Sequence, residues 1–181
     1  MYTQGALMGM AEGTPFPAER QTPGQPVADV IASQIKDFAA GRGVDISWAT
    51  TDQVMCLHQY NVFPNLTLLA SADHLTVMTS LPGPDPDRGQ LVMTLMTRMP
   101  AQAPRMKPTD VRMGADEAHP GVVMSQDIAV LTGLQRGLHQ PGFTHLVLSA
   151  EERRIINMHR NLERYLDLPE AERICEAEAG G

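Results

Sequence analysis

The stretch "SQDIAVLTGLQRGL", residues 125–138, carries a single carboxylate, Asp127, four residues ahead of Leu131. Leu134 and Leu138 continue the same spacing, so a helix over this stretch holds Asp127 at the head of an apolar stripe. A carboxylate on a face that seeks a core is costly unless it is paired, hydrogen-bonded or bound to a metal. Two readings follow. With Ser125 as N-cap, Asp127 lies in the first turn, where the helix dipole favours an acid by roughly 0.3–1 kcal/mol. Alternatively, Asp127 is a metal ligand, and a first-turn position allows both roles together.

The other residues with chemical potential are histidines. His58 lies in "HQYNVFPN"; on a strand it shares a face with Tyr60, while Asn61 and Phe63 take the other face. A lone strand histidine reads either as a hydrogen-bonded rim residue or as a cavity wall. His139 and His145 flank "QPGFT" and read as loop residues between two helices, and His159 reads as a packing or surface residue of the last helix.

Several elements must position these groups. Residues 1–26 are rich in Gly, Pro and Thr and read as irregular chain. Pro26 opens a helix to about Ala40, with Val27, Val30, Ile31, Ile35 and Phe38 at helical spacing and Gly41 and Gly43 ending it. From Asp52 the period changes to strands. "HLTVMTSLP" and "QLVMTLMTRM" alternate on either side of the turn segment "PGPDPDRG", which predicts antiparallel neighbours, and Pro64 suits a strand end, bulge or edge. Residues 100–120 are Pro-broken and loop-like. Helices follow at about 125–138 and after the capping-box pattern Ser149-x-x-Glu152. The order of helix, meandering strands and helices predicts an α+β layout with helices on one face of an antiparallel sheet.

Composition narrows the function classes. The 181 residues suffice for one domain, and 43% are hydrophobic, but aromatics make up only 4% while Met numbers 12. Met fills irregular gaps, which suits a roomy apolar interior. A net charge of −7 without any Lys/Arg run argues against nucleic acid and acidic membranes as partners. Cys56 and Cys175 lie far apart with no C-x-x-C pattern, against a disulfide scaffold, a zinc site or a self-contained iron–sulfur site. No signal segment or membrane-length apolar run occurs, so a cytoplasmic location is the default.

In order, "HQYNVFPNLTLL", "LTVMTSLPGPDPDRGQLVMTLM", "SQDIAVLTGLQRGL" and "EERRIINMHRNLERYL" resemble the C-terminal part of Rieske non-haem iron oxygenases, the α subunits of aromatic-ring-hydroxylating oxygenases. The resemblance spans roughly residues 54–166. It implies a helix-grip fold, here incomplete, and a division into an irregular segment plus one helix (1–46), the catalytic-domain part (47–168) and an acidic tail (169–181). It also implies that Asp127 completes a two-histidine-one-carboxylate triad on mononuclear Fe(II) with open positions for O2, a role that suits a hard carboxylate oxygen. His58, Asn61 and Phe63 then line the substrate cavity, and Val123 falls where the family places a pocket-shaping side chain.

The same resemblance implies an aromatic or similar apolar substrate, electrons from a ferredoxin or reductase, and a trimer-type homo-oligomer. Two departures stand out. The Cys-x-His and Cys-x-x-His pairs that together hold a [2Fe–2S] cluster in the family do not occur together, since Cys56-Leu57-His58 has no Cys-x-x-His partner, and no histidine precedes residue 58. The expectation is therefore a truncated or split catalytic domain, inactive by itself. The alternative is a non-enzymatic helix-grip protein, structural or small-ligand-binding, in which Asp127 only caps its helix.

Overall fold

The computed structural model describes residues 21–117, 122–170 and 173. The irregular character expected for residues 1–20 and most of the acidic tail lie outside the described residues.

The chain enters α1 (Val27–Gly41) with Pro26 at the N-cap position, φ −59°, and Asp29 in the first turn. The predicted helix is thus present, within a residue of its expected ends. It stops by a glycine device: Gly43 has φ +76°, its N–H bonds Ala40 O at 2.8 Å, and the Val44 N–H bonds Ala39 O at 3.0 Å. These paired bonds satisfy carbonyls that a helix end leaves open.

Residues 51–55 correct the strand expectation. They form a short helix, α2 (Thr51–Met55), because "TTDQ" is itself a capping box. The Thr50 hydroxyl accepts from the Gln53 N–H at 3.2 Å, and the Gln53 side chain accepts from the Thr50 N–H at 2.9 Å. Two satisfied donors outweigh the weak β tendency of a five-residue stretch.

The four strands follow as expected: β1 (His58–Val62), β2 (Leu66–Ala70), β3 (His74–Leu81) and β4 (Gln90–Thr97). They form one antiparallel sheet in the order β1-β2-β3-β4, with pairs such as Tyr60 opposite Leu68, Leu68 opposite Val77, and Val77 opposite Thr94. The turn after β1 carries a cis Phe63–Pro64 peptide. The "PGPDPDRG" segment links β3 to β4, as its turn chemistry predicts. Gly83 is obligatory there, since a Cβ on it would lie 1.5 Å from the Arg88 carbonyl oxygen.

The buried core lies at one end of the sheet. Ala32, Ile35 and Ala39 of α1 pack with Val44, Ile46, Ala49 and Val54, and Ala72 from the β2–β3 turn closes against them. Burying side chains such as Ile35 and Ile46 stabilises by about 1.5–3 kcal/mol each. The sheet surfaces are open by comparison, with no buried residue in β1, β2 or β4.

Beyond β4 come α3 (Val122–Leu138), a 3-10 turn (Ala150–Glu152) and α4 (Arg153–Tyr165). The Glu152 side chain accepts from the Ser149 N–H at 2.8 Å, as the capping-box pattern predicts. The fold is α+β, a four-stranded open antiparallel sheet with C-terminal helices, consistent with a helix-grip-like arrangement. Among the described residues, no helix is long and apolar enough to cross a membrane.

Candidate functional site

Asp127 sits on α3, but one turn deeper than the sequence suggests. The helix begins at Val122, so Ser125 is inside it rather than at its N-cap, and no acid occupies the first turn. The capping reading loses its basis, because dipole stabilisation fades beyond the first turn. The Asp127 side chain is solvent-exposed. Its stripe is open too, with Leu131, Leu134 and Leu138 at 53, 60 and 48% exposure. The stripe that should seek a core therefore meets none, and its carboxylate is not enclosed between helix and sheet. The physical reason is that α3 does not lay its apolar stripe on the sheet, and a carboxylate left in water escapes the desolvation cost.

Three of the four pocket candidates lie on or just past β1, an edge strand of the sheet. His58 and Tyr60 do share a face of β1, their rings stacked at 6.4 Å and 23°. Asn61 is held by its neighbour strand, its side-chain oxygen accepting from Thr67 Oγ1 at 3.0 Å. Phe63 lies one residue past β1 and meets Tyr165 of α4 edge to face at 5.5 Å. Val123 lies in the first turn of α3, and its side chain falls outside the described part. His139 follows α3 directly, and His145 lies in the connector, its Nδ1 2.8 Å from Thr144 Oγ1.

Two polar clusters escape sequence reasoning. The first is buried: Asp73, 5% exposed, receives the Arg42 guanidinium and lies 2.6 Å from His74 Nδ1. The second joins α3 to the β3–β4 connector, where Asp87 Oδ1 receives the Gln135 amide and lies 2.7 Å from His139 Nε2. The His139 and Gln135 hydrogen bonds hold the Asp87 carboxyl below its ordinary value of 3.8. Only the i,i+4 spacing of Gln135 and His139 hints at this cluster, because Asp87 lies about fifty residues away in sequence.

A family model described as "Ring hydroxylating alpha subunit (catalytic domain)" matches residues 10–168. The chain belongs to this family. All four stretches that carry the sequence resemblance fall inside the match. No curated protein and no solved structure matches the chain.

The family implies mononuclear iron, and the donors here can be tested against it. Among the described residues, no group of three His, Cys, Asp or Glu side chains converges as a metal site needs. Asp127 supplies one exposed oxygen donor and nothing described joins it. The described residues by themselves do not fit a complete iron centre, whose affinity depends on imidazole as well as carboxylate ligands.

Proposed function

We propose that this chain is the C-terminal part of the catalytic domain of a Rieske-type oxygenase. The reaction is hydroxylation of an aromatic or similar apolar substrate with O2. The observation that carries this reading is the family match across residues 10–168, which includes the acid-bearing helix α3. Asp127 is the carboxylate ligand to Fe(II). The imidazole ligands and the [2Fe–2S] cluster come from polypeptide outside the described residues, and electrons arrive from a ferredoxin or reductase. His58, Asn61, Phe63 and Val123 contribute walls of the substrate cavity. The assembly is a homo-oligomer in the cytoplasm.

Asp127 is exposed and nothing described joins it, so its ligand role rests on the family match rather than on an enclosure in this structure. The deciding experiment is anaerobic Fe(II) titration with metal analysis, on this chain and on a version extended N-terminally to include a closely spaced histidine pair. Weak, substoichiometric iron on the chain alone, with stoichiometric iron in the extended version that D127N abolishes, supports the reading. Stoichiometric iron with product turnover from the chain alone overturns it, and so does iron in the extended version that D127N leaves unchanged.

A further inference from the structure

We infer that Asp87, in the β3–β4 connector, is a positioning residue that orients α3 and so places Asp127 relative to the sheet. The inference rests on the proposed function only in giving Asp127 a task; the orientation of α3 stands on its own geometry. Gln135 and His139 lie four residues apart on one face of α3's C-terminal end, and both reach the same oxygen, Asp87 Oδ1. A single contact leaves a helix free to roll about its axis. Two contacts one turn apart fix the roll as well as the distance.

The acceptor is itself braced. The Asp87 N–H donates to Asp85 Oδ1 at 3.1 Å, and Arg88 Nε donates to Asp85 Oδ2 at 2.7 Å. With Gly83 backed against the Arg88 carbonyl, the connector forms a compact platform rather than a loose loop. Packing does not do this job, since Leu131 and Leu134 are more than half exposed. Asp127 lies twelve residues before His139, about 18 Å along the axis. A roll at the clamped end therefore changes where this exposed carboxylate stands relative to the sheet.

The test uses the full chain with spin labels at V130C on α3 and T94C on β4, in a background carrying C56S and C175S. Pulsed electron-paramagnetic-resonance distances read the orientation of α3 directly, without metal. The expected result is one narrow distribution that D87A destroys, that Q135A and H139A each broaden, and that D87N partly restores because the amide oxygen still accepts hydrogen bonds. D110N, at an exposed aspartate outside the connector, serves as the control and should leave the distribution narrow. An unchanged distribution in D87A overturns the inference, as does D110N broadening it as much as D87A. Iron titration of D127N in the extended version separates the two readings: its failure removes the ligand role and leaves the label distances to decide on Asp87.

Discussion

Asp73 and Arg42 form an ion pair across 31 residues of sequence, joining the end of α1 to the turn between β2 and β3. The same carboxylate takes His74 Nδ1 at 2.6 Å, and its backbone carbonyl accepts from the Arg98 N–H at 2.8 Å, just past β4. One residue thus ties the helical core to two strands of the sheet. Removing the carboxylate strands a guanidinium that is about 30% exposed, so water offsets part of the loss. D73A should cost on the order of 1.5–3 kcal/mol, the range for hydrogen bonds to charged groups. Thermal unfolding followed by circular dichroism checks this. A melting temperature equal to that of the unsubstituted chain would show that the pair contributes nothing.

This junction also marks where sequence reading stops. Alternation in "HLTVMTSLP" and "QLVMTLMTRM" reports strands because each residue's partner is local in pattern, and the turn chemistry of "PGPDPDRG" fixes their antiparallel order. Pro26 and Gly43 bracket α1 for equally local reasons. The "TTDQ" capping box was equally local, but it was masked by the β-formers that follow it. The Arg42–Asp73 and His139–Asp87 contacts have no local signature, since each joins distant chain. Asp127 shows the limit from the other side. Its helical face is legible, but whether that face meets a core depends on packing that periodicity does not encode.

The core that α1 builds makes a second prediction. Ile46 is 1% exposed, packed among Ile35, Ala39, Val44 and Val54 at the end of the sheet. Truncating it leaves a cavity that small neighbours such as Ala39 and Ala49 cannot fill. I46A should therefore destabilise by about 2–5 kcal/mol, the range for Ile-to-Ala changes in cores. Because the cluster includes no residue of α3 or α4, amide hydrogen exchange should rise in residues 27–55 and change little in residues 122–165. Uniform acceleration across both regions would mean that the helical core and the C-terminal helices unfold as one unit.

The Asp87 cluster predicts a dependence on acid. Its carboxyl is held below 3.8 in the folded chain, chiefly by the His139 hydrogen bond and then by that of Gln135. A depressed folded value means the bonds contribute fully above the unfolded value and are lost as pH falls through the folded one. A carbon-13 titration of the aspartate carboxyls between about pH 2 and 6 should resolve Asp87 as a low outlier. In H139A that midpoint should move up toward 3.8, and D87N should remove the signal. A midpoint unmoved by H139A would show that His139 does not engage the carboxylate in solution.

The sheet's edges carry the last prediction. Among the described strands, β1 and β4 are outermost, each with a row of backbone N–H and C=O groups open on one side. β1 is short, at five residues, whereas β4 runs for eight, Gln90–Thr97, without a charge or a proline. Its apolar residues lie on both faces, and Leu91, Val92, Leu95 and Met96 are 43, 44, 65 and 49% exposed. Long, flat, uncharged apolar edges recruit further strands, and natural sheets blunt them with lysine or proline. The chain should accordingly self-associate through β4, with a light-scattering mass that rises with concentration on size-exclusion chromatography. L95K places a charge in the middle of that edge and should shift the distribution toward monomer. V147K, at a still more open site outside the sheet, should leave it unchanged, since only a charge on the edge opposes strand pairing. A concentration-independent monomer for the unsubstituted chain, or equal effects of the two lysines, would assign any association to general surface stickiness instead of the edge.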